Sequence, residues 1–146
     1  MVSTTSAGGS VGGTVPATLA LTLGAPASFG SFTPGLAKDY TASSSATVTS
    51  TAGDATLTVA DPSSTATGHL VNGTFSMPQA LQAGANGGSL APVGASTAPT
   101  TLLMYSGPVA NDPVTLNFKQ PVAATDALRT GAYSKTLSFT LSTTTP

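Results

Sequence analysis

The chain has 146 residues, enough for one well-formed core and too few for two, so it reads as one domain. Charged side chains make up 6% of it and the formal net charge is -1, which leaves no basic field for a phosphate backbone and excludes nucleic acid as the expected partner. Cysteine is absent, so there are no disulfides or thiolate metal sites, and no apolar run approaches the roughly 18 residues of a membrane span.

Turn residues, among them 16 Gly and 11 Pro, punctuate short runs rich in Val, Leu, Ala and Thr, and that rhythm predicts many short strands in an all-β fold. Residues 1–13 are mostly Ser, Thr, Gly and Ala, the composition of a flexible linker ahead of a single β-sandwich domain over 14–146. The start, Met1-Val2-Ser-Thr-Thr, lacks the charged head and apolar middle of a signal peptide, so the chain reads as a mature piece of a longer exported protein. Val15 to Leu23 alternates and predicts the first strand, with Pro16 tolerated near its start. Gly24 and Pro26 break it, and Ala27 to Phe32 predicts a short aromatic strand closed by a Pro34-Gly35 turn, where Gly supplies the positive φ of a type II turn.

Tyr40, Ala42, Ala46 and Val48 fall on even positions, and after Ala52-Gly53-Asp54 the period resumes on odd ones at Ala55, Leu57 and Val59. That phase change across a turn predicts a hairpin. Asp61-Pro62 ends the run and residues 63–68 make a polar loop. Leu70, Phe75, Met77 and Leu81, interrupted by Pro78, predict two short strands or one bent one. Residues 84–99 predict a surface loop whose length makes it functional or mobile. Leu102 to Tyr105 is a compact apolar run, Gly107-Pro108 and Asn111-Asp112-Pro113 predict turns, and Val114, Leu116 and Phe118 mark another alternating strand.

The last run, Thr130 to Ser142, places Tyr133, Lys135, Leu137, Phe139 and Leu141 at every second position, the period of a strand wet on one face. Just before it, Leu128-Arg-Thr-Gly131-Ala-Tyr133 has the Leu-x-x-Gly-x-Tyr spacing of a tyrosine corner, whose hydroxyl bonds back to the turn it follows. The total is about eight or nine strands and no significant helix, predicted to pack as a Greek-key, Ig-like β-sandwich.

The order of Val15-Pro-Ala17 through Leu23, Phe29-Gly-Ser-Phe32, Tyr40-Thr-Ala42, Gly53-Asp-Ala55-Thr-Leu57-Thr-Val59 and the closing Gly131 to Leu141 resembles WxL domains. Members of that family are wall-associated surface modules of Gram-positive bacteria that bind peptidoglycan, with one Trp-x-Leu motif mid-chain and a second in the last strand. The resemblance covers most of the chain after Gly13 and departs at both motifs. Ala55-Thr-Leu57 stands at the first, Phe139-Thr-Leu141 at the second, and there is no Trp anywhere. It therefore implies the architecture and a structural role for Ala55, Leu57, Phe139 and Leu141, while the indoles of wall binding are missing.

Catalytic groups are few. His69 is the only imidazole, no Gly-x-Ser-x-Gly elbow accompanies it, and it reads as a solvated loop residue. The five aspartates, at 39, 54, 61, 112 and 126, lie mostly beside Gly, Pro or Asn and read as turn residues. A glycosidase pair or calcium cage from Asp54, Asp61 and Asp112 has no supporting spacing, so no metal or cofactor is expected. Lys119 and Lys135 lie on predicted strands. A crosslink from such a lysine to Asn or Asp is weighed against an ammonium that reaches water or guards an edge, and the second is the expectation. Asn72-Gly-Thr74 matches a glycosylation acceptor and reads as a turn. Among the aromatics Tyr105, beside Ser106-Gly107, is the ring free to stack on a sugar, which makes Tyr105 and Ser106 the candidate ligand-binding residues; the other rings read as core.

Solubility rests on Ser and Thr hydroxyls in place of Lys and Glu, a composition associated with secreted and cell-surface bacterial modules. The expected function is a non-catalytic extracellular structural or adhesive module, with a cell-wall polysaccharide or another surface protein as partner. The alternatives are a peptidoglycan or carbohydrate binder, and a self-assembling fibre subunit whose first strand, Val15 to Leu23, completes a neighbour's sheet edge in a homo-oligomer.

Overall fold

The computed structural model describes residues 3–145, so residues 1 and 2 of the predicted linker and residue 146 of the predicted domain lie outside the described residues. The strands are β1 (Leu19–Leu23), β2 (Lys38–Ser50), β3 (Ala55–Asp61), β4 (Val71–Asn72), β5 (Phe75–Ser76), β6 (Gln82–Ala85), β7 (Ala91–Pro92), β8 (Gly94–Ala95), β9 (Thr100–Tyr105), β10 (Val109–Val122) and β11 (Ser138–Ser142), with no helix among the described residues. One sheet has the order β1-β2-β10-β6-β7; in the other β3 is flanked by β11, β8 and β9, and β4 and β5 form a small separate hairpin. All pairings are antiparallel except β3 with β8.

The fold is an all-β sandwich because the two-residue period of each long strand turns one apolar face inward. Ala46 and Val48 of β2 and Val114, Leu116 and Phe118 of β10 meet Leu57 and Val59 of β3 in a single buried cluster. The inward phase of β10 continues to Gln120, which is fully buried and whose Nε2 donates to the carbonyls of Gln79 and Pro121 (3.1 and 2.9 Å). Its Oε1 has no partner among the described residues.

The predicted hairpin across Ala52-Gly53-Asp54 is a crossover instead. β2 pairs with β1 and β10, whereas β3 pairs with β11, β8 and β9, so the turn carries the chain from one sheet to the other. A hairpin and a crossover both keep the apolar phase inward, and a phase change cannot tell them apart. The first strand is shorter than predicted, since only Leu19–Leu23 enters the ladder. Ala27 to Phe32 forms no strand, although Gly35 has the expected positive φ of 80°.

Residues 84–99 are not a free loop. β6 and β7 pair there as a hairpin on the sheet edge, β8 docks parallel to β3, and Val93 is buried. Pro92 sits on the edge strand β7, where a missing N–H breaks no ladder. The predicted turn at Asn111-Asp112-Pro113 is a bulge inside β10, where the register slips between Val109 and Asp112 and Asn111 takes φ 51°. The two-residue strands β4, β5, β7 and β8 raise the strand count above the predicted eight or nine.

The closing run alternates as predicted, with Tyr133, Lys135, Leu137, Phe139 and Leu141 inward and the residues between them exposed. Its ladder is short: Ser138–Ser142 pairs with β3, and upstream only Ser134 bridges to Val71. The tyrosine spacing does its local work, because the Tyr133 hydroxyl accepts the Arg129 N–H at 2.8 Å. Gly131 has φ 133°, and a side chain there would collide with Asn72, whose Nδ2 donates to the Thr130 carbonyl (3.1 Å). Tyr133→Phe removes a partly solvated bond and should lower stability by about 0.5–1.5 kcal/mol, read as a shift of the urea midpoint without a change of slope. An unmoved midpoint would show that this bond does not hold the corner.

Candidate functional site

The inward residues of the closing run are only half-buried, and the same is true of Phe29 and Phe32 on the facing segment. The cause lies where the ladders stop. β1 and β11 each end a sheet, and residues 24–37 and 123–137 beside them form no strand beyond the single Ser134–Val71 bridge. Past Leu23 the chain leaves the ladder after a last bond from Gly24 N–H to the Ser45 carbonyl (2.7 Å), while Ser44 Oγ donates to the Ala25 carbonyl (2.6 Å).

Between this segment and residues 128–137 opens a cleft of about 980 Å³. Its floor is core, including Leu116 and Phe118, and its walls include Phe29, Phe32, Leu137 and Phe139. Phe118 and Phe139 meet edge-on at 6.3 Å, and Phe32 packs between Phe29 (5.9 Å) and Tyr40 (4.8 Å). The Tyr40 hydroxyl accepts the Thr33 N–H at 2.8 Å, which draws its pKa below the ordinary tyrosine value. That bond ties the outer wall to β2.

Lys135 is the main correction to the expected chemistry. Its side chain, 6% exposed, reaches neither water nor a sheet edge: Nζ lies 3.2 Å from Oδ2 of Asp61, itself 0% exposed. The ammonium also donates to the carbonyls of Thr65 (2.8 Å) and Ala66 (3.1 Å), so all three of its donors are used. Asp61 accepts the N–H groups of Ser63 (2.9 Å) and Gly68 (2.8 Å). Burial pushes its carboxyl up, but those two N–H groups and Lys135 outweigh burial and hold it below the usual carboxylate range. An ionised carboxylate facing an ammonium is a structural ion pair, because amide formation between them would need both groups neutral.

Asp54, Asp112 and Asp126 are also committed to the backbone or to a neighbour. Asp54 is held below the usual range by the Thr144 hydroxyl and by the N–H groups of Thr145 and Thr144, which fastens the end of the chain beside the 52–54 turn. Asp126 accepts the Ala123 N–H (2.8 Å). Asp112 accepts the Tyr105 hydroxyl (2.7 Å), and burial followed by that carboxylate pushes the Tyr105 pKa up. Tyr105 is therefore half-buried with its hydroxyl engaged, Ser106 is exposed beside it, and neither lines the cleft. His69 is half-buried, not a solvated loop residue, and its Nδ1 bonds the Met77 carbonyl at 2.8 Å.

Among the described residues no three His or Asp side chains gather as metal ligands would, so Asp54, Asp61 and Asp112 do not converge. Phe75, expected in the core, is exposed on the β4–β5 hairpin, with the Arg129 guanidinium 3.8 Å over its ring. Ala55 and Leu57 are buried in β3, while Phe139 and Leu141 are half-buried in β11, with Leu57 opposite Leu141. Those four positions are packing positions joining two strands of one sheet. Comparison with family models, with curated proteins and with solved structures returns no match.

The sequence reading missed the cleft and the ion pair. The pair left one signal, since Lys135 shares the inward phase of Tyr133 and Leu137, and a lysine on that phase needs a buried partner. The cleft left none, because its two walls, residues 24–34 and 128–137, lie about a hundred positions apart in the chain.

Proposed function

We propose that this chain is a non-catalytic structural or adhesive module of a secreted or cell-surface protein, and that it takes an extended polypeptide of its partner in the cleft. The observation that carries this reading is the cleft itself: core-type side chains open to solvent between two extended segments, 24–34 and 128–137, that join no sheet beyond the Ser134–Val71 bridge. An added strand satisfies both demands at once, through main-chain bonds to those segments and apolar side chains on the floor. A glycan would need convergent polar groups, whereas Lys135, Asp54, Asp61, Asp112 and Asp126 are engaged elsewhere. The resemblance to WxL domains supports a wall-associated setting, and the missing indoles favour a protein partner over peptidoglycan.

Retention of the purified chain on Gram-positive walls, before and after the walls are stripped of protein, tests the reading. Ala132 is exposed at the cleft mouth, so Ala132→Arg should block the cleft without touching the core. The expected result is retention on protein-bearing walls that falls at least tenfold with Ala132→Arg and on stripping. Salt-resistant retention on stripped walls would replace this reading with peptidoglycan binding, and no retention on either would overturn it.

A further inference from the structure

Residues 3–18 are exposed throughout and none lies in a strand. Val11 and Val15 are among the large apolar side chains left in solvent. Val11, Gly13, Val15 and Ala17 recur at every second position, the period of a strand with one apolar face. The arm has the pattern of a strand and no sheet to join.

The cleft has the complementary defect, an apolar floor between two wall segments, 24–34 and 128–137, that pair with no strand beyond the Ser134–Val71 bridge. Charge matches as well. The arm carries no charged side chain, since the first in the chain is Lys38, and the two cations at the cleft are engaged, Lys135 with Asp61 and Arg129 over Phe75. An acidic or basic partner segment would gain nothing there. Length also fits: about eight extended residues span roughly 26 Å, close to the length of the seven-residue β3.

The arm cannot simply drop into its own cleft. It leaves β1 at Thr18, which is fixed to Thr51 by paired bonds of 2.8 and 2.9 Å, whereas the cleft begins at Leu23, the other end of β1. Five strand residues, about 16 Å, separate the two points, and the chain runs away from the cleft. A second copy has no such constraint.

We propose that the amino-terminal arm of one copy lies as an added strand in the cleft of another, so that the chain assembles with itself. This rests on the reading of the cleft as a polypeptide acceptor and names its occupant. The arm and the cleft are different surfaces of one molecule, so the contact is heterologous: passed from copy to copy it builds a row, and exchanged reciprocally it closes a dimer. Leu23, 48% exposed and lining the cleft, would be covered in either arrangement.

Light scattering on the full chain from micromolar to millimolar concentration tests this, together with Val11→Asp/Val15→Asp and Ala132→Arg. The three substituted side chains are exposed, so the domain should fold in each variant. The expected result is a wild-type mass at least twice that of one chain, returning to one chain in both variants. A single chain at every concentration overturns the proposal, as does an oligomer that survives Val11→Asp/Val15→Asp. If the chain is a monomer and Ala132→Arg still abolishes wall retention, the self-assembly inference falls and the adhesive reading stands.

Discussion

Lys135→Met should destabilise the protein by about 3–5 kcal/mol, the cost of leaving one half of a buried ion pair without its partner. Asp61 would keep the Ser63 and Gly68 N–H groups but lose the Lys135 counter-charge in a site closed to water. Methionine fills a similar volume, so the loss should come from charge and hydrogen bonding more than from a void. Loop 62–68 should loosen too, because the ammonium holds the Thr65 and Ala66 carbonyls, and faster hydrogen exchange there would report it.

The pH dependence has a definite sign. Asp61 and Asp54 are both depressed in the folded state, so their contribution is full above the unfolded value of about 4 and is lost as pH falls through the lower folded values. Wild-type stability should therefore drop below about pH 4, and Lys135→Met should flatten part of that slope while Asp54 supplies the rest. Urea denaturation at neutral and acid pH measures both effects. A loss under about 1 kcal/mol at neutral pH would mean the pair is solvated and does not hold the loop.

Leu57→Ala should cost about 2–5 kcal/mol, a large part of the roughly 5–15 kcal/mol that holds a domain of this size. Leu57 is fully buried on β3, the strand through which its sheet is held together, and it lies opposite Leu141 on one side and Leu103 on the other. The surrounding strands are fixed by their ladders and cannot collapse into the space left behind. Leu137→Ala, by contrast, should cost clearly less, since Leu137 is half-buried at the cleft wall and already faces solvent. Equal losses at the two positions would show that the cleft is closed in solution, by the arm of another copy or by its own walls. The comparison thus reports on the open edge as well as on the core.

Much of the local structure was legible because alternation is a property of consecutive residues. Tyr40 to Ser50, Ala55 to Val59, Val114 to Phe118 and Tyr133 to Leu141 each announce which side faces in, and the structure keeps all four phases. The tyrosine spacing is local as well, and four residues suffice to bring the Arg129 N–H to the Tyr133 hydroxyl. Sequence alone therefore determined the all-β class, the inward faces and this corner. Partners distant along the chain were a different matter. Whether Ala55 turns back on β2 or crosses to the opposite sheet leaves the phase unchanged, so only the packing of two sheets decided it. Lys135 announced that it faced inward, but finding Asp61 across 74 positions took the pairing of β11 with β3. The cleft was least legible of all, because its walls, residues 24–34 and 128–137, are brought face to face only by the packing of the two sheets, and an unfilled place between them is a relation that no single residue encodes.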